Sequence, residues 1–158
     1  MVDYSTEVEQ IYATLSGQPP HTEEQIAIIK TTIELYQATF KYYDYTRTRE
    51  LVDKSYKQHS QLVGGSGPDS IIDASKTLKS TAEKSWVGPG QPYVKLVFKR
   101  ILVDGDYVMV QIFSEGWPSD TGAHVFDLFR FENGKFVEHW DAIQEIKPET
   151  IKRGYSVF

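Results

Sequence analysis

The pair Asn133-Gly134 constrains the fold of this chain more than any other short stretch of its sequence. It stands between two runs in which apolar residues alternate with polar ones, 125–131 and 136–146. Asn-Gly favours type I′ turns, because both central residues of such a turn need positive φ angles, and these turns join adjacent antiparallel strands. The pair therefore predicts a tight β-hairpin.

A second hairpin is predicted at Asp104-Gly105, another pair that favours tight turns. It separates the alternating runs 93–103 and 106–115. Two hairpins in succession predict an antiparallel sheet that occupies most of the second half of the chain.

Helical periodicity characterises the first half of the chain. The longest predicted helix begins at Thr22, because Gln25 completes a capping box and two glutamates fall in the first turn. Its apolar stripe continues to Tyr43 at spacings of three and four residues. Helices followed by antiparallel strands predict an α+β fold. The other predicted helices cover 6–15, 47–54 and 68–79.

Length and composition narrow the class of protein. A chain of 158 residues suits one domain, in which 1–20 form an additional N-terminal helix and 147–158 a C-terminal tail. With no cysteine, the chain has no thiolate nucleophile and no cysteine-ligated metal. The net charge of −5 argues against binding nucleic acid. We recognise no secretory signal and no membrane span, so we expect a cytoplasmic protein.

The hairpin at 133–134 also predicts which residues lie near Asp127. With Glu132 opposite Lys135, continuous pairing places Asp127 opposite Trp140 on one face of the sheet. Side chains alternate between the two faces along each strand, so the intervening residues lie on the other face. That other face is predicted to carry Phe126, Leu128, Arg130, Val137, His139 and Asp141.

Asp127 is a candidate functional residue, because aspartate is disfavoured in the middle of a strand. The simplest pairing with the preceding strand brings Gln111 and Phe113 beside it. Two interpretations stay open: a carboxylate in a pocket of aromatic side chains, or an outward carboxylate in an ion pair. Aromatic residues make up 13% of the chain, which is typical of a tightly packed core or of an apolar pocket.

Metal and cofactor chemistry are not predicted. A metal site formed by His59, His139 and Asp141 would need residues from both faces of the predicted sheet. Acid/base chemistry by a carboxylate, a histidine or a tyrosine next to a carbonyl needs no cofactor, because the substrate's own carbonyl accepts the electron pair.

The string Val125-Phe-Asp-Leu-Phe-Arg-Phe-Glu-Asn-Gly-Lys-Phe-Val-Glu-His-Trp-Asp-Ala-Ile-Gln144 resembles the SnoaL-like polyketide cyclases and their predicted aldol-condensation relatives, in the nuclear-transport-factor-2-like superfamily. Two earlier motifs agree in order: Tyr56-x-Gln58-His59, and Val103-x-Gly105-Asp106-x-Val108 at a hairpin. The resemblance covers roughly residues 30–146. It implies a cone in which helices pack on a strongly curved antiparallel sheet around a deep pocket, usually in a dimer.

The resemblance also implies roles for particular residues. In the cyclases of this group, the aspartate at the position of Asp127 is the proposed general acid/base. Its partners typically include the histidine at the position of His59 and a polar residue on the preceding strand. On that strand, relatives often carry histidine where this chain has Gln111 and Phe113, and Ser60-Gln61 stands where Asn-Pro is usual.

We therefore predict an enzyme that transfers a proton next to the carbonyl of an apolar small molecule, in an aldol-type cyclisation or an isomerisation. Asp127 would remove and return the proton, with His59 as its catalytic partner. His59 could instead only cap or hydrogen-bond the junction between a helix and a loop. The enolate oxygen would accept a hydrogen bond from His59, Tyr56 or Gln111. The predicted pocket walls are Trp140, Phe113, Phe98, Tyr36 and Phe40.

Two other classes of function stay open at this point. The chain could bind an apolar small molecule without turning it over, or it could be a dimerisation and interaction module that works through its outer sheet face. A homodimer through that outer face is the expected assembly, and neither nucleic acid nor a membrane is an expected partner.

Overall fold

The computed structural model describes residues 3–85, 94–154 and 156–158. The helices are α1 (Ser5–Thr14), α2 (Glu23–Tyr36), α3 (Tyr45–Leu51), α4 (Pro68–Ser85) and the short α5 (Pro148–Ile151), and a π-helical turn at Gln37–Lys41 extends α2. The strands are β1 (Val52–Gln58), β2 (Lys95–Asp104), β3 (Tyr107–Glu115), β4 (Ala123–Glu132) and β5 (Lys135–Glu145). Tyr93, where a strand was predicted to begin, lies outside the described residues.

The five strands form one curled, open sheet in the order β1-β5-β4-β3-β2, which confirms the α+β class. Strands β2 to β5 pair antiparallel, as predicted, whereas β1 pairs parallel with β5. Strand β1 was not predicted, because the preceding helix was expected to extend to residue 54. That helix, α3, ends at Leu51, and the chain continues directly into the strand.

Helix α2 covers the inner face of the sheet, the face that carries Val110, Ile112 and Phe129. The predicted capping box is confirmed: the side chain of Thr22 accepts from the backbone of Gln25, and the side chain of Gln25 accepts in return. The apolar residues of α2 join those of the strands in one core cluster. None of the described helices is long and apolar enough to cross a lipid bilayer.

The hairpin between β4 and β5 contains a β-bulge at Val137. The Asn133-Gly134 turn is confirmed, with φ angles of 51° and 78°, and Glu132 pairs with Lys135. Phe131 then pairs with Phe136, but Arg130 pairs with Glu138, so Val137 has no partner in β4. A bulge of one residue moves every later side chain of β5 to the opposite face.

The bulge therefore overturns the predicted pairing of Asp127. Its partner in β5 is Asp141, and Trp140 pairs with Leu128 on the outer face. The prediction that Trp140 faces Asp127, with His139 and Asp141 on the other side, is wrong. The prediction assumed continuous pairing from the turn, and that assumption leaves no place for the unpaired residue Val137.

A second bulge, at Lys99, changes the hairpin between β2 and β3. Its turn is at residues 105–106, one residue later than predicted, because Asp104 pairs with Tyr107. Beyond the bulge, Phe98 pairs with Ile112 and so lies on the inner face.

The outer face of β3 carries Gln111 and Phe113. In β4, Asp127 pairs with Val110, whereas Gln111 pairs with Phe126 and Phe113 with His124. The prediction that Gln111 and Phe113 lie beside Asp127 is wrong, because their partners in β4 are one and three positions from Asp127 and therefore on the opposite side of the sheet.

Candidate active site

A hydrogen-bonded pair of a carboxylate and an imidazole lies at the centre of the inner face. Oδ1 of Asp127 is 3.0 Å from Nε2 of His139, and the two residues are 8% and 7% exposed. They lie next to one another because Asp127 pairs with Asp141 in the sheet and Phe129 with His139. The second carboxylate oxygen, Oδ2, accepts a hydrogen bond from the hydroxyl of Tyr36, the last residue of α2.

Gln58 positions the imidazole from the other side. Its Oε1 contacts Nδ1 of His139, and it ends β1, the strand that runs beside β5. An amide oxygen only accepts, so this contact keeps the proton of the neutral imidazole on Nδ1 and leaves Nε2 facing Asp127. The hydrogen bond between Oδ1 of Asp127 and Nε2 of His139 then needs one further proton, on either atom.

Asp141 is the third titratable group of this cluster. It is half-buried and lies directly opposite Asp127 in the sheet, where two like charges destabilise one another. The three side chains of Asp127, His139 and Asp141 each offer one ligand atom, and these atoms lie within 4.8 Å of one another. One imidazole and two carboxylates could hold a divalent cation. The set His59, His139 and Asp141 still includes residues from both faces of the sheet, because His59 lies on the outer face; the residue that joins His139 and Asp141 is Asp127.

Two buried tyrosines adjoin the cluster. Burial raises the pKa of Tyr36 well above 10.0, and the carboxylate of Asp127 raises it further. Burial likewise raises the pKa of Tyr56, to which Asp127 and Asp141 add a smaller effect. Both phenols therefore keep their protons at neutral pH.

The cluster opens into a cavity of about 80 Å³. This cavity lies between the inner face of the sheet, the C-terminal end of α2 and helix α4. Its apolar walls are formed by Phe40, Leu62, Ile71, Ala74, Leu78, Leu96, Ile112, Val125, Phe129 and Ile143. Its polar lining consists of Tyr36, Gln58, Ser60, Ser114, Trp117, Asp127, His139 and Asp141.

The structure brings some of the predicted site residues to this cavity. Tyr36 and Phe40 line it together with Asp127. Phe98 is buried behind Tyr36, with ring centroids 5.2 Å apart, and Tyr56 is buried near the carboxylates.

His59 and Trp140 lie elsewhere, on the outer face. Their rings stack at a centroid distance of 5.0 Å, and Nε2 of His59 is 2.9 Å from the carboxylate of Glu138. The hydrogen bond from His59, with a smaller effect of Arg130, lowers the pKa of Glu138. His59 therefore forms a partly exposed hydrogen bond with Glu138 and does not contact Asp127.

Gln111 and Phe113 also make their contacts on the outer face. Gln111 accepts from Arg100 and lies 2.9 Å from the imidazole of His124. Phe113 packs against Phe158 near the C-terminus, with ring centroids 5.0 Å apart.

Sequence reasoning missed His139, Asp141 and Gln58 as members of the site. The sequence contains one indication that His139 and Asp141 belong to the site. Phe136-Val137 are adjacent apolar residues, and they interrupt the alternation before Glu138. Such an interruption is typical of a bulge, after which His139 and Asp141 would share the face of Phe136.

Solved structures of other proteins share this fold. A candidate polyketide cyclase from Bacillus cereus is 15% identical over 82% of this chain and 83% of its own, with a TM-score of 0.62. A candidate SnoaL-like polyketide cyclase from a Jannaschia species is 15% identical over 80% and 92%, with a TM-score of 0.61. AclR, a candidate hydroxylase from Streptomyces galilaeus, is 19% identical over 78% and 92%, with a TM-score of 0.53. No protein-family model and no curated protein matches this chain.

These similarities define the class of fold. The chain has the nuclear-transport-factor-2-like fold that SnoaL-like polyketide cyclases also have, which confirms the fold implied by the sequence resemblance. Identities below 20% show the fold alone, and function must be argued from the site itself.

The raised pKa of Tyr36 predicts how the free energy of unfolding depends on pH. Above about pH 10 its phenol ionises in the unfolded chain but keeps its proton in the fold, so the unfolded state binds fewer protons. The free energy of unfolding should therefore fall by about 1.4 kcal/mol per pH unit for this residue. Chemical denaturation between pH 9 and pH 11 should show a shallower fall for Tyr36→Phe than for wild type. Tyr107→Phe, at an exposed position, is the control and should follow wild type.

Proposed function

We propose that this protein is a small enzyme that transfers a proton next to the carbonyl of an apolar substrate, with Asp127 and His139 as its acid/base pair. One observation carries the proposal: a buried carboxylate and imidazole, 3.0 Å apart, open into a cavity whose walls are mainly aliphatic and aromatic. A pair of groups that share one proton suits a reaction in which a proton is first removed and then returned.

The reaction begins at the carbon next to the substrate carbonyl. Asp127 takes the proton from that carbon, and the electron pair of the broken C–H bond moves to the carbonyl oxygen and forms an enolate. Asp127 then carries this proton, remains hydrogen-bonded to His139, and later gives the proton back. Return to a different carbon is an isomerisation, whereas attack of the enolate carbon on a second carbonyl, followed by return of the proton to the new alkoxide oxygen, is an aldol-type ring closure. Such proton transfer by a positioned side chain contributes about 10²–10⁴-fold to a rate.

The surroundings of the pair support this assignment. Tyr36 donates to the carboxylate oxygen that does not contact the imidazole, and so it holds the orientation of Asp127. Tyr56, one of the predicted donors for the enolate oxygen, keeps its proton and lies near the carboxylates, but it is not among the residues that line the cavity. His59 and Gln111, the other two predicted donors, lie on the outer face. His139 therefore takes the role of proton partner that the resemblance implied for His59.

A second candidate function is the sequestration of an apolar ligand without turnover. The composition of the cavity walls favours it, because those residues bind an apolar molecule whether or not Asp127 reacts with it. The two functions differ in one respect: only the enzyme exchanges a carbon-bound proton of its ligand.

Solvent deuterium exchange tests the proposal without knowledge of the natural substrate. We expect the wild-type protein in D₂O to accelerate exchange at the α-carbon of 3,4-dihydroanthracen-1(2H)-one, followed by proton NMR. Asp127→Asn and His139→Asn should each reduce the enzymatic rate by about 10²-fold or more. His59→Ala is the matched control, and it should leave the rate unchanged because His59 lies on the outer face.

Two results would contradict the proposal. If the wild-type protein binds the ketone but never accelerates exchange, and Asp127→Asn binds it equally well, the protein is a carrier. If EDTA abolishes exchange and a divalent cation restores it, the chemistry belongs to a cation at Asp127, His139 and Asp141.

We also propose that the outer sheet face pairs with a second copy of the chain. Phe126 and Tyr107 are 40% and 46% exposed on this face, next to Leu128. Burying such a patch stabilises a self-complementary interface. Sedimentation equilibrium should give a dimer, and Phe126→Glu should convert it to a monomer whose deuterium exchange is retained. A wild-type monomer at micromolar concentration would refute this assembly.

A further inference from the structure

The inner face carries two neighbouring carboxylates that no lysine or arginine neutralises. Asp127 and Asp141 are partners in the sheet, and both line the cavity together with His139. Among the residues that the structure describes, no lysine or arginine lines this cavity, and the carboxylate of Asp141 makes no hydrogen bond or ion pair. Buried charges in proteins are paired or coordinate a metal. With both carboxylates ionised, even a doubly protonated imidazole leaves one negative charge uncompensated.

The imidazole of His139 offers a lone pair on Nε2. Its Nδ1 contacts Oε1 of Gln58, which only accepts, so Nδ1 carries the proton of the neutral ring. The lone pair of Nε2 then faces Oδ1 of Asp127, another acceptor, at 3.0 Å. Two acceptors so close together require a positive ion between them, and that ion is either a proton or a metal.

The distances between the three side chains suit one small divalent ion. Zinc lies about 2.0–2.2 Å from nitrogen and carboxylate oxygen ligands, so neighbouring ligand atoms are about 3–3.5 Å apart. Nε2 of His139 and Oδ1 of Asp127 already have this separation, and Asp141 supplies an oxygen within 4.8 Å of the other ligand atoms. A shift of about 1–2 Å brings the carboxylate of Asp141 to the ion. The cavity gives access for a fourth ligand.

Two outer hydrogen bonds hold the proposed ligands in place. Gln58 fixes the ring of His139 through Nδ1, and Tyr36 donates to Oδ2 of Asp127, which leaves Oδ1 for the ion. Histidine and carboxylate ligands of metals are usually oriented by contacts of this kind, and loss of such a contact typically reduces metal affinity about 10–100-fold. These contacts distinguish the cluster from acidic side chains that merely lie close together.

We propose that Asp127, His139 and Asp141 bind one divalent transition-metal ion, of which zinc fits the ligand types and the distances. The ion uses the lone pairs of Oδ1 and Nε2 that hold a proton in the metal-free protein, so metal and proton exclude one another. Metal binding does not depend on the proposed function. Its consequence rests on that function: a carboxylate that coordinates zinc no longer takes a proton from carbon, so zinc inhibits the exchange reaction.

Calorimetric titration of the full chain with ZnCl₂, after treatment with EDTA and desalting, tests the site. We expect one ion to bind per chain with a Kd in the micromolar range. Asp141→Asn and His139→Asn should each raise the Kd at least tenfold, because each variant removes a ligand. Gln58→Leu should raise it by about tenfold, because the imidazole loses the contact that orients it.

The outer face offers matched controls. His59 and Glu138 form a second pair of an imidazole and a carboxylate, 2.9 Å apart, but this carboxylate also pairs with Arg130. His59→Asn and Glu138→Gln should leave the Kd for zinc unchanged. A wild-type protein that does not bind zinc, a Kd unchanged in Asp141→Asn, or binding lost in His59→Asn would overturn the site. Circular dichroism confirms folding, and Asp141→Asn alone decides if His139→Asn does not fold.

Deuterium exchange with and without zinc separates this site from the proposed function. Zinc binding without any exchange in the metal-free protein would refute the enzyme and leave the metal site. Exchange in a protein that does not bind zinc would refute the metal site and leave the enzyme. If both hold, exchange should fall as zinc saturates the protein, with a midpoint at the calorimetric Kd. Undiminished exchange in the zinc-saturated protein would refute coordination by Asp127 and His139.

Discussion

The candidate site depends on one unpaired residue, Val137. Side chains alternate between the faces of a strand, so one extra residue moves everything after it to the other side. Up to Phe136 the hairpin follows the register of its turn, and beyond Val137 it brings His139 and Asp141 beside Asp127. Without this bulge, the inner face would carry Trp140 and Glu138, and the imidazole would lie outside.

The cluster shows how a fold can bury a carboxylate on a largely apolar face. A buried charge is tolerated only when it is paired and hydrogen-bonded, and each oxygen of Asp127 has a partner: Tyr36 on one side and His139 on the other. These partners come from different elements, the end of α2 and the strand β5, so the site forms only when helix and sheet pack together. Apolar walls then keep the effective dielectric constant low, which strengthens these hydrogen bonds.

The local features of the fold were predictable from particular residues. Asn133-Gly134 indicated its turn, Thr22 and Gln25 indicated the start of α2, and the carboxylate at 127 stood out because aspartate rarely occurs in mid-strand. Strand β1 was not predictable from Val-Asp-Lys-Ser-Tyr-Lys-Gln, whose polar composition lacks a strand pattern; it forms because it adds to the edge of β5. The composition of the site depended on bulges at Val137 and Lys99, and pairing rules alone do not position bulges.

The most direct test of the account compares two contacts between a carboxylate and a histidine. In the structure, Asp127 contacts His139 and Glu138 contacts His59. Side-chain ¹H–¹⁵N correlation spectra should show that Asp127→Asn shifts the imidazole signals of His139 and leaves those of His59 in place, whereas Glu138→Gln does the reverse. A hairpin without the bulge would put Glu138 on the inner face and His139 on the outer one. His139 signals that do not respond to Asp127→Asn would therefore contradict the account of the site.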